Sequence, residues 1–194
     1  MIEFEKKILL KEYEYRLLKE KRYPSEKVIL QINHYYDTDD YQLNQAGITC
    51  RIRERNGSYT ATVKDHQKKW KDCSIETSHP VRDLWDDTCF RDMGLRFQGS
   101  MKTERTVFVL CSGIKIMLDR NQYLGVTDYE LELEYKPRER VRALLEMEAI
   151  ADCLTFHRGE ATAFAFRKRF NQGKNKSQRF FEQRAALDKL VREK

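Results

Sequence analysis

The first residues of the chain carry an alternating ionic pattern, Glu-x-Glu-x-Lys, at Glu3, Glu5 and Lys7. Side chains alternate between the two faces of a β-strand, so these three would project to the same side. Two carboxylates at this spacing can share a hard divalent cation, and the lysine can hold an anion that the cation also touches. The pattern indicates a metal-bridged phosphate site. A solvated strand face is the alternative for this motif taken alone, since antiparallel sheets often expose one side to water.

A second ionic pattern lies on a predicted β-hairpin. Residues 47–55 and 58–65 have strand character, and Asn56-Gly57 between them is the strongest short hairpin signal. Arg51, Arg53 and Arg55 share one face of the first arm, and Thr60, Thr62 and Lys64 share one face of the second. The ionic candidates of this hairpin are Arg51, Arg53, Arg55 and Lys64. Each arm is therefore polar or ionic on one face.

The later strands repeat this alternation. Residues 128–135 place carboxylates on one face and Tyr or Leu on the other without exception, and a hairpin around Ser112-Gly113 has arms at 102–111 and 114–121. The ionic candidates here are Arg105, Lys115, Asp119, Glu130, Glu132 and Glu134. Buried ions without partners are costly, so these faces must neutralise one another, bind ions or remain hydrated.

The rest of the chain predicts the elements that position these faces. Further strands are expected over 1–10, 27–38 and 70–78, and helices over 11–22, 83–93 and 175–192. Pro137 introduces an amphipathic helix, and no clear pattern covers 157–172. The apolar stripe of that helix comprises Val141, Leu144, Leu145, Met147, Ala151 and Leu154.

Roughly eight strands joined by hairpins, charged on one face and apolar on the other, predict a particular α+β fold. It is a closed eight-stranded antiparallel β-barrel, a tunnel with a charged lumen and helices packed outside. The length of 194 residues fits a single domain over residues 1–194.

Composition limits the function classes. The formal net charge of +6 favours an anionic partner. No apolar run approaches the roughly 20 residues of a membrane helix, and no apolar signal segment opens the chain. The five cysteines lack C-x-x-C spacing, so neither a disulfide framework nor a zinc site is indicated. The four scattered histidines lack metal-ligand spacing. We therefore expect a cytoplasmic protein with reduced thiols and no membrane partner.

Taken in order, the ionic motifs resemble the CYTH domain of the triphosphate tunnel metalloenzymes over nearly the whole chain. The motifs that carry the resemblance are Glu3-x-Glu5-x-Lys7, His34-Tyr35-Tyr36-Asp37-Thr38, Gly47 to Arg53, Tyr59 to Lys64, Leu118-Asp119 and Tyr129 to Glu134. The resemblance implies an eight-stranded tunnel, triphosphate-containing substrates and a requirement for Mg2+ or Mn2+.

The resemblance also implies roles for individual residues. Catalytic residues that clamp phosphate oxygens would be Lys7, Arg51, Arg53, Lys64 and Arg105. Further substrate-binding candidates are Arg55, Lys115 and Lys176, the last resembling a late family lysine that reaches the tunnel from the final helix. Metal ligands would be Glu3, Glu5, Glu130 and Glu132, with Asp119 and Glu134 as second-rank candidates. The chain departs from the family pattern around Glu76, where many relatives have a second Glu-x-Glu, and over 158–172, which has no counterpart.

Three functions are consistent with these residues. The first is metal-dependent hydrolysis of tripolyphosphate or a small organic triphosphate, and the second is class IV-type adenylate cyclisation of ATP. The third is a non-catalytic binding module, which would hold a polyphosphate or nucleotide in the tunnel or bind nucleic acid through the basic residues between Arg167 and Arg179. A nucleic-acid module explains the arginines but not the carboxylates on matching strand faces, so the hydrolase is preferred. The oligomeric state is not indicated.

Overall fold

A computed structural model describes residues 2–24, 28–66, 73–111, 113–169 and 174–193. The strands are β1 Ile2–Leu10, β2 Val28–Asp37, β3 Ile48–Arg55, β4 Ser58–Asp65, β5 Cys73–Val81, β6 Arg96–Cys111, β7 Ile114–Tyr123 and β8 Val126–Tyr135. They close into an antiparallel barrel in the order β1-β5-β4-β3-β2-β6-β7-β8, which confirms the predicted fold. The predicted strand starts at Lys27 and Trp70, and Ser112 of the second hairpin, lie outside the described residues.

The predicted hairpin at Asn56-Gly57 is confirmed. Both residues have a positive φ, 51° and 74°, as a two-residue turn with the twist of the flanking strands requires. The turn pairs Arg55 with Ser58, so Arg51 faces Thr62 and Arg53 faces Thr60 across the ladder. This register places the arginines on the face expected from the alternation.

The described residues include six α-helices, which lie outside or at one end of the barrel. They are α1 Glu12–Leu17, α2 Gln42–Ala46, α3 Thr88–Arg91, α4 Arg140–Arg158, α5 Glu160–Lys168 and α6 Lys176–Arg192. A π-helical turn, Leu18–Arg22, continues α1, and a 3-10 turn, Pro137–Glu139, precedes α4. In the described part of the chain, no helix is both long and apolar enough to cross a bilayer.

Two helix predictions need correction. The helix expected over 83–93 shrinks to α3, because the Asp83 carboxylate accepts the backbone N–H groups of Trp85 and Asp86 and stabilises a turn instead. The segment without a predicted structure contains α5, which packs Phe166 into the core. Residues 170–172 of that segment lie outside the described part.

Helix α4 covers the apolar outer face of β8. Met147, Ala151 and Leu154 pack with Leu131 and Leu133 of the strand, as predicted. The other half of the predicted stripe was wrong. Val141, Leu144 and Leu145 are exposed, because Ala143 and Ile150 share the helical phase of Met147 and take the buried positions.

The first turn of α6 enters the barrel where β1 ends and β8 begins. A bulge in β6 at Gln98 precedes Gly99, whose φ is 137°. The Phe180 ring lies over Gly99, and a Cβ there would be 2.9 Å from its Cζ. Phe180 also packs on Tyr35 of β2, with ring centroids 4.8 Å apart. The missing side chain of Gly99 thus allows α6 to approach the barrel closely.

Candidate active site

Inward-facing side chains of the strands and the first turn of α6 enclose a cavity of about 110 Å³. Its cations are Lys7, Arg51, Arg53, Lys64, Arg105 and Lys176. Its carboxylates are Glu3, Glu5, Glu76, Glu132 and Glu134. Its neutral residues are Gln31, Tyr35, Thr49, His66, Met117, Asn175 and Ser177. All five residues predicted to be catalytic therefore lie together around one cavity.

A buried acidic cluster lies on β7 and β8. Asp119, Glu130 and Glu132 each offer a carboxylate oxygen, and these oxygens lie within 4.8 Å of one another. The Lys176 ammonium lies 2.8 Å from Asp119 Oδ2, 2.7 Å from Glu130 Oε2 and 2.7 Å from Glu132 Oε1. Burial alone would lower the pKa of Lys176, but these three carboxylates raise it above its usual value. Lys176 is therefore a charged counterion held at the centre of the cluster.

Two arginines bind the same cluster from its sides. Arg105 donates from Nε to Asp119 Oδ1 at 2.8 Å and from Nη2 to Glu132 Oε2 at 2.6 Å. Arg179 donates from Nη2 to Glu130 Oε2 at 2.7 Å, beyond the residues singled out from the sequence. Burial would raise the pKa of Glu132, but Lys176, Arg105 and Lys7 hold it well below its usual value. Lys176, Arg105 and Arg179 thus place three cationic groups against the three carboxyl groups of the cluster.

A second ionic group joins β1 to β4. Lys64 Nζ lies 2.9 Å from Glu3 Oε2 and 3.1 Å from Glu5 Oε1, and Lys7 Nζ lies 3.0 Å from Glu5 Oε1. Burial would raise the pKa of Glu5, but Lys7 and Lys64 lower it to about 2. Glu76 Oε2 lies 3.8 Å from Lys64 Nζ. Strand β5, where many relatives have a second Glu-x-Glu, therefore still contributes one carboxylate to this ionic group.

The wall formed by β2 and β3 is basic. Arg51 Nη2 lies 3.5 Å from Glu76 Oε2, and Arg53 Nε donates to Asn33 Oδ1 at 3.0 Å. Arg53 has no carboxylate ion-pair partner within the described ranges. Burial, together with Arg51 and Arg105, lowers the pKa of Arg53 to about 9. An anion placed here would offset the repulsion between the Arg53 guanidinium and those of Arg51 and Arg105. The wall is therefore electrostatically suited to phosphate.

The neutral residues of the cavity could not be predicted from the alternation of charges, because they carry no charge. Thr49 Oγ1 lies 2.6 Å from Ser177 Oγ and 3.4 Å from His66 Nε2, which joins β3 to α6. Burial, with Lys7 and Lys64, lowers the pKa of His66 to about 3. His66 is therefore neutral in the free protein and can donate or accept a hydrogen bond in the cavity.

Three predicted site residues, Arg55, Lys115 and Glu134, lie toward the end of the barrel opposite to the one that α6 enters. Arg55 is exposed at the end of β3 and does not line the cavity. Lys115, at the start of β7, is also outside the lining and lies 2.8 Å from Glu134 Oε1. Their side chains follow the expected alternation, but their positions at strand ends place them at the rim. Glu134 lines the cavity from the same end.

The donor chemistry of the acidic cluster fits a hard divalent cation. Its ligands are carboxylate oxygens, which Mg2+ and Mn2+ prefer. Glu130 Oε1 is buried and has no hydrogen-bond partner in the described part of the chain. Lys176 already contacts all three carboxylates, so an ion would share or take over oxygens that the ammonium now binds. Glu3 and Glu5 form a second, smaller carboxylate pair.

Most basic residues near the C-terminus form ion pairs within the protein, whereas Lys168 lies over the Phe164 ring. Arg167 pairs with Glu148 and Asp152, and Arg169 Nη2 donates to the buried Glu14 at 2.5 Å. Lys174 pairs with Glu182, and Arg179 with Asp128. These contacts turn the sequence run into ion pairs that attach α5 and α6 to the rest of the fold.

Comparison with known proteins supports the geometric picture. The protein "Putative triphosphatase YjbK" of Bacillus subtilis strain 168 is 29% identical over 167 residues, covering 77% of this chain and 87% of that protein. The crystal structure of a "putative adenylate cyclase" from Bacillus halodurans matches with a TM-score of 0.70 at 26% identity, over 92% of this chain and 97% of that one. A "putative adenylyl cyclase" from Hippeastrum, described as having a dominant triphosphatase activity, shares the fold with a TM-score of 0.56 at 23% identity, over 75% and 84% of the two chains.

The family assignment rests on a match that runs through the whole barrel. The family model described as the CYTH domain matches residues 1–159, which include all eight strands and α4. Helix α6, which brings Lys176 into the cavity, lies beyond the matched region. The barrel, its ionic lumen and this match agree, and the chain belongs to the CYTH domain family.

Proposed function

We propose that this protein is a divalent-metal-dependent triphosphatase acting on inorganic tripolyphosphate or a small organic triphosphate. The observation that carries the proposal is a basic cavity wall close to a buried acidic cluster. Arg51 and Arg53 form the basic wall, and Glu132 is the member of the cluster of Asp119, Glu130 and Glu132 that reaches the cavity lining. A polyanion on the basic wall and divalent cations on the acidic cluster would compensate each other.

The chain's own residues would act mainly by positioning and charge. Lys7, Arg51, Arg53, Lys64 and Arg105 would hold phosphate oxygens in the lumen. Phosphoryl transfer depends on neutralising these oxygens and aligning the attacking water, which fixed cations achieve without covalent chemistry. Bound Mg2+ or Mn2+, held by Glu3, Glu5, Glu130 and Glu132, would supply charge neutralisation and lower the pKa of the attacking water. Asp119 and Glu134 would complete the metal shell or orient that water.

Hydrolysis of the terminal group is balanced without another reactant. Water forms a bond to the terminal phosphorus, and the bond to the bridging oxygen breaks. Tripolyphosphate would then yield one orthophosphate and one pyrophosphate, with the proton of water passing to solvent or product. The small cavity lined by cations and carboxylates suits this reaction, because fixed charges can hold a short chain of phosphates in it.

Adenylate cyclisation is the second candidate, and the similarity to the Bacillus halodurans structure favours it. The same clamp would hold ATP while its ribose hydroxyl attacks the α-phosphorus and pyrophosphate leaves. Among the described lining residues, Tyr35 is the only Phe, Tyr or Trp, and Phe180 packs against its ring. A stacking surface for adenine is therefore lacking in this lining, and the hydrolase is preferred.

A binding module without turnover is the third candidate. Its nucleic-acid form needs free basic residues, but Arg167, Arg169 and Arg179 are committed to carboxylates. Its polyphosphate form needs only the basic wall. The cavity also holds the carboxylates needed for metal, so an active enzyme accounts for more of the lining residues.

The test is to incubate the purified protein with Mg2+ or Mn2+ and either tripolyphosphate or ATP. Orthophosphate from tripolyphosphate, without cyclic AMP from ATP and abolished by EDTA, is the expected result. Cyclic AMP with pyrophosphate would favour the cyclase, and binding without any product would favour the binding module. EDTA-resistant orthophosphate release would refute the metal requirement.

We also infer that residues 1–194 act as one tunnel domain. Helix α6 lies beyond the matched family region, yet Lys176 and Ser177 line the cavity. A cytoplasmic location is part of the same proposal, supported by the free thiols of Cys50, Cys73, Cys89 and Cys153. Fractionation of cells expressing the tagged full chain would test it, and recovery in an oxidising compartment would contradict it.

A further inference from the structure

Strand β2 presents an unusual inner face to the cavity. Gln31 and Asn33 are 2% and 0% exposed, whereas Leu30, which precedes Gln31 and points to the outside, is 47% exposed. The strand has buried its amides and left an aliphatic side chain in solvent. Burying amides and exposing an aliphatic side chain reverses the usual arrangement of a strand. It is expected where the inner surface of a barrel binds a polar group.

The amides are not satisfied by their surroundings. Gln31 Nε2 and Asn33 Nδ2 are buried donors for which the described residues offer no hydrogen-bond partner, and Arg51 Nε on the neighbouring strand is a third. Buried donors are normally paired, so three on one wall require an explanation. The Asn33 amide oxygen accepts from Arg53 Nε at 3.0 Å, which fixes the orientation of the Asn33 amide and of the Arg53 guanidinium.

The register gathers these groups in one place. Asn33 lies directly opposite Arg53 in the β2–β3 ladder, and Tyr35 lies opposite Arg51. Gln31, Arg51 and Arg53 all line the cavity. Donors without acceptors, supported by two guanidinium groups, select an oxyanion rather than a cation.

We propose that Gln31 forms, with Arg51 and Arg53, a seat for one phosphoryl group of the substrate that needs no metal ion. This inference rests on the proposed function and adds two neutral residues to it. Gln31 Nε2 donates directly to a phosphate oxygen. Asn33, which does not line the cavity, is a positioning residue that aims the Arg53 guanidinium.

The seat has a stability signature that a structural amide would lack. In the free protein the Gln31 donor gains no hydrogen bond, so replacing it with the similarly sized Met removes a buried unsatisfied group. We expect Gln31→Met to unfold at the same or a higher temperature than the wild type while losing affinity for phosphate. A structural glutamine would lose stability and keep affinity.

The test is calorimetric titration with tripolyphosphate in EDTA, where metal-dependent turnover is absent. The wild type should bind, and Gln31→Met should bind about tenfold more weakly or worse, the loss expected for one hydrogen bond to a charged group. Gln31→Glu provides a second variant, because a carboxylate in the cavity lining at this position should repel the polyphosphate and abolish binding. The matched control is Gln98→Met, since the Gln98 Nε2 already donates to the backbone oxygens of Asp37 and Thr38. That variant should lose stability and retain affinity.

The outcomes separate this inference from the proposed function. Equal affinity of Gln31→Met and wild type, or no binding by wild type without metal, would overturn the seat. Wild-type binding that is lost in Gln31→Met, without hydrolysis in any metal, would retain the seat and refute the triphosphatase.

Discussion

Lys176 Nζ lies 2.7 Å from Glu130 Oε2, so the first residue of α6 makes an ion pair in the middle of the barrel. Both side chains are almost completely buried. The pair connects a helix beyond the matched family region to the strand with the densest carboxylates. Its consequence is that the ammonium and a metal ion at this cluster need the same oxygens.

Competition for these oxygens predicts a gain of metal affinity in Lys176→Met. Removing the ammonium leaves Asp119, Glu130 and Glu132 with one counterion fewer, so Mn2+ should bind at least about tenfold more tightly. Electron paramagnetic resonance of free Mn2+ measures this in the absence of substrate. The control is Lys174→Met, because Lys174 is exposed and pairs with Glu182 outside the cavity. Unchanged or weaker Mn2+ binding in Lys176→Met would remove the cluster as the main metal site.

The basic wall predicts a variant that gains stability while it loses function. Arg53 is held near Arg51 and Arg105, which together with burial lower its pKa to about 9. Arg53→Met should therefore raise the free energy of unfolding by about 1 kcal/mol or leave it unchanged. Turnover of tripolyphosphate should fall at least about a hundredfold, because a phosphate contact is lost. Urea unfolding and a phosphate-release assay check the two effects, and a variant that keeps full activity would contradict the assignment.

The contact between Gly99 and Phe180 predicts how strongly α6 depends on a missing side chain. Gly99→Ala would place a Cβ 2.9 Å from Phe180 Cζ at a φ of 137°. We expect a loss of about 2 kcal/mol or more, from backbone strain and displaced packing. Gly125→Ala is the control, because its φ is 78° but nothing lies within 4 Å of the added Cβ. Equal losses in the two variants, measured by thermal unfolding, would show that the Phe180 contact contributes nothing.

The lowered pKa of Glu5 predicts a pH-dependent contribution to stability. Its folded value of about 2 lies below the ordinary 4.5, so the contribution is complete above about pH 4.5 and is lost as the pH falls toward 2. In EDTA, Glu5→Gln should be about 3 kcal/mol less stable than wild type at pH 7, and the gap should be less than half as large near pH 3. Urea unfolding at both pH values measures it.

An exposed carboxylate supplies the control for that series. Glu12 pairs with Arg16 at the surface of α1, and its side chain is 51% exposed. Glu12→Gln should change stability by less than about 0.5 kcal/mol at either pH. A constant gap between wild type and Glu5→Gln across the range would mean that Lys7 and Lys64 do not stabilise the Glu5 carboxylate.

Strict alternation explains why the barrel could be predicted from sequence. From Asp128 to Glu134 of β8 every second residue is acidic, and Leu131 and Leu133 between them are fully buried outside the lumen. The Asn56-Gly57 turn is fixed by two residues that tolerate positive φ. Helix α5 could not be predicted in the same way. Its Ala163 and Phe166 are fully buried, but the short helix is held in place by contacts distant in sequence.

The candidate site was predictable where it is charged and not where it is neutral. Charge at every second position marked Arg51 and Arg53, whereas Gln31 and His66 are ordinary residues until the barrel closes around them. Gln31 and Asn33 did leave one signal, since they alternate with Leu30 and Ile32. That alternation does not say which side faces inward, because a barrel with a polar lumen reverses the usual assignment.

The most direct measurement is a phosphorus NMR time course of tripolyphosphate in the presence of Mg2+ and the absence of Mn2+. It compares the wild-type protein with the Lys7→Ala variant. Lys7 lines the cavity and lies 3.0 Å from Glu5 Oε1, so its loss removes a clamp residue inside the lumen. The account predicts that wild type converts tripolyphosphate to equal amounts of pyrophosphate and orthophosphate, that EDTA stops the reaction, and that folded Lys7→Ala is inactive. An inactive wild type, or equal rates for the two proteins, would contradict the claim that this cavity hydrolyses triphosphate.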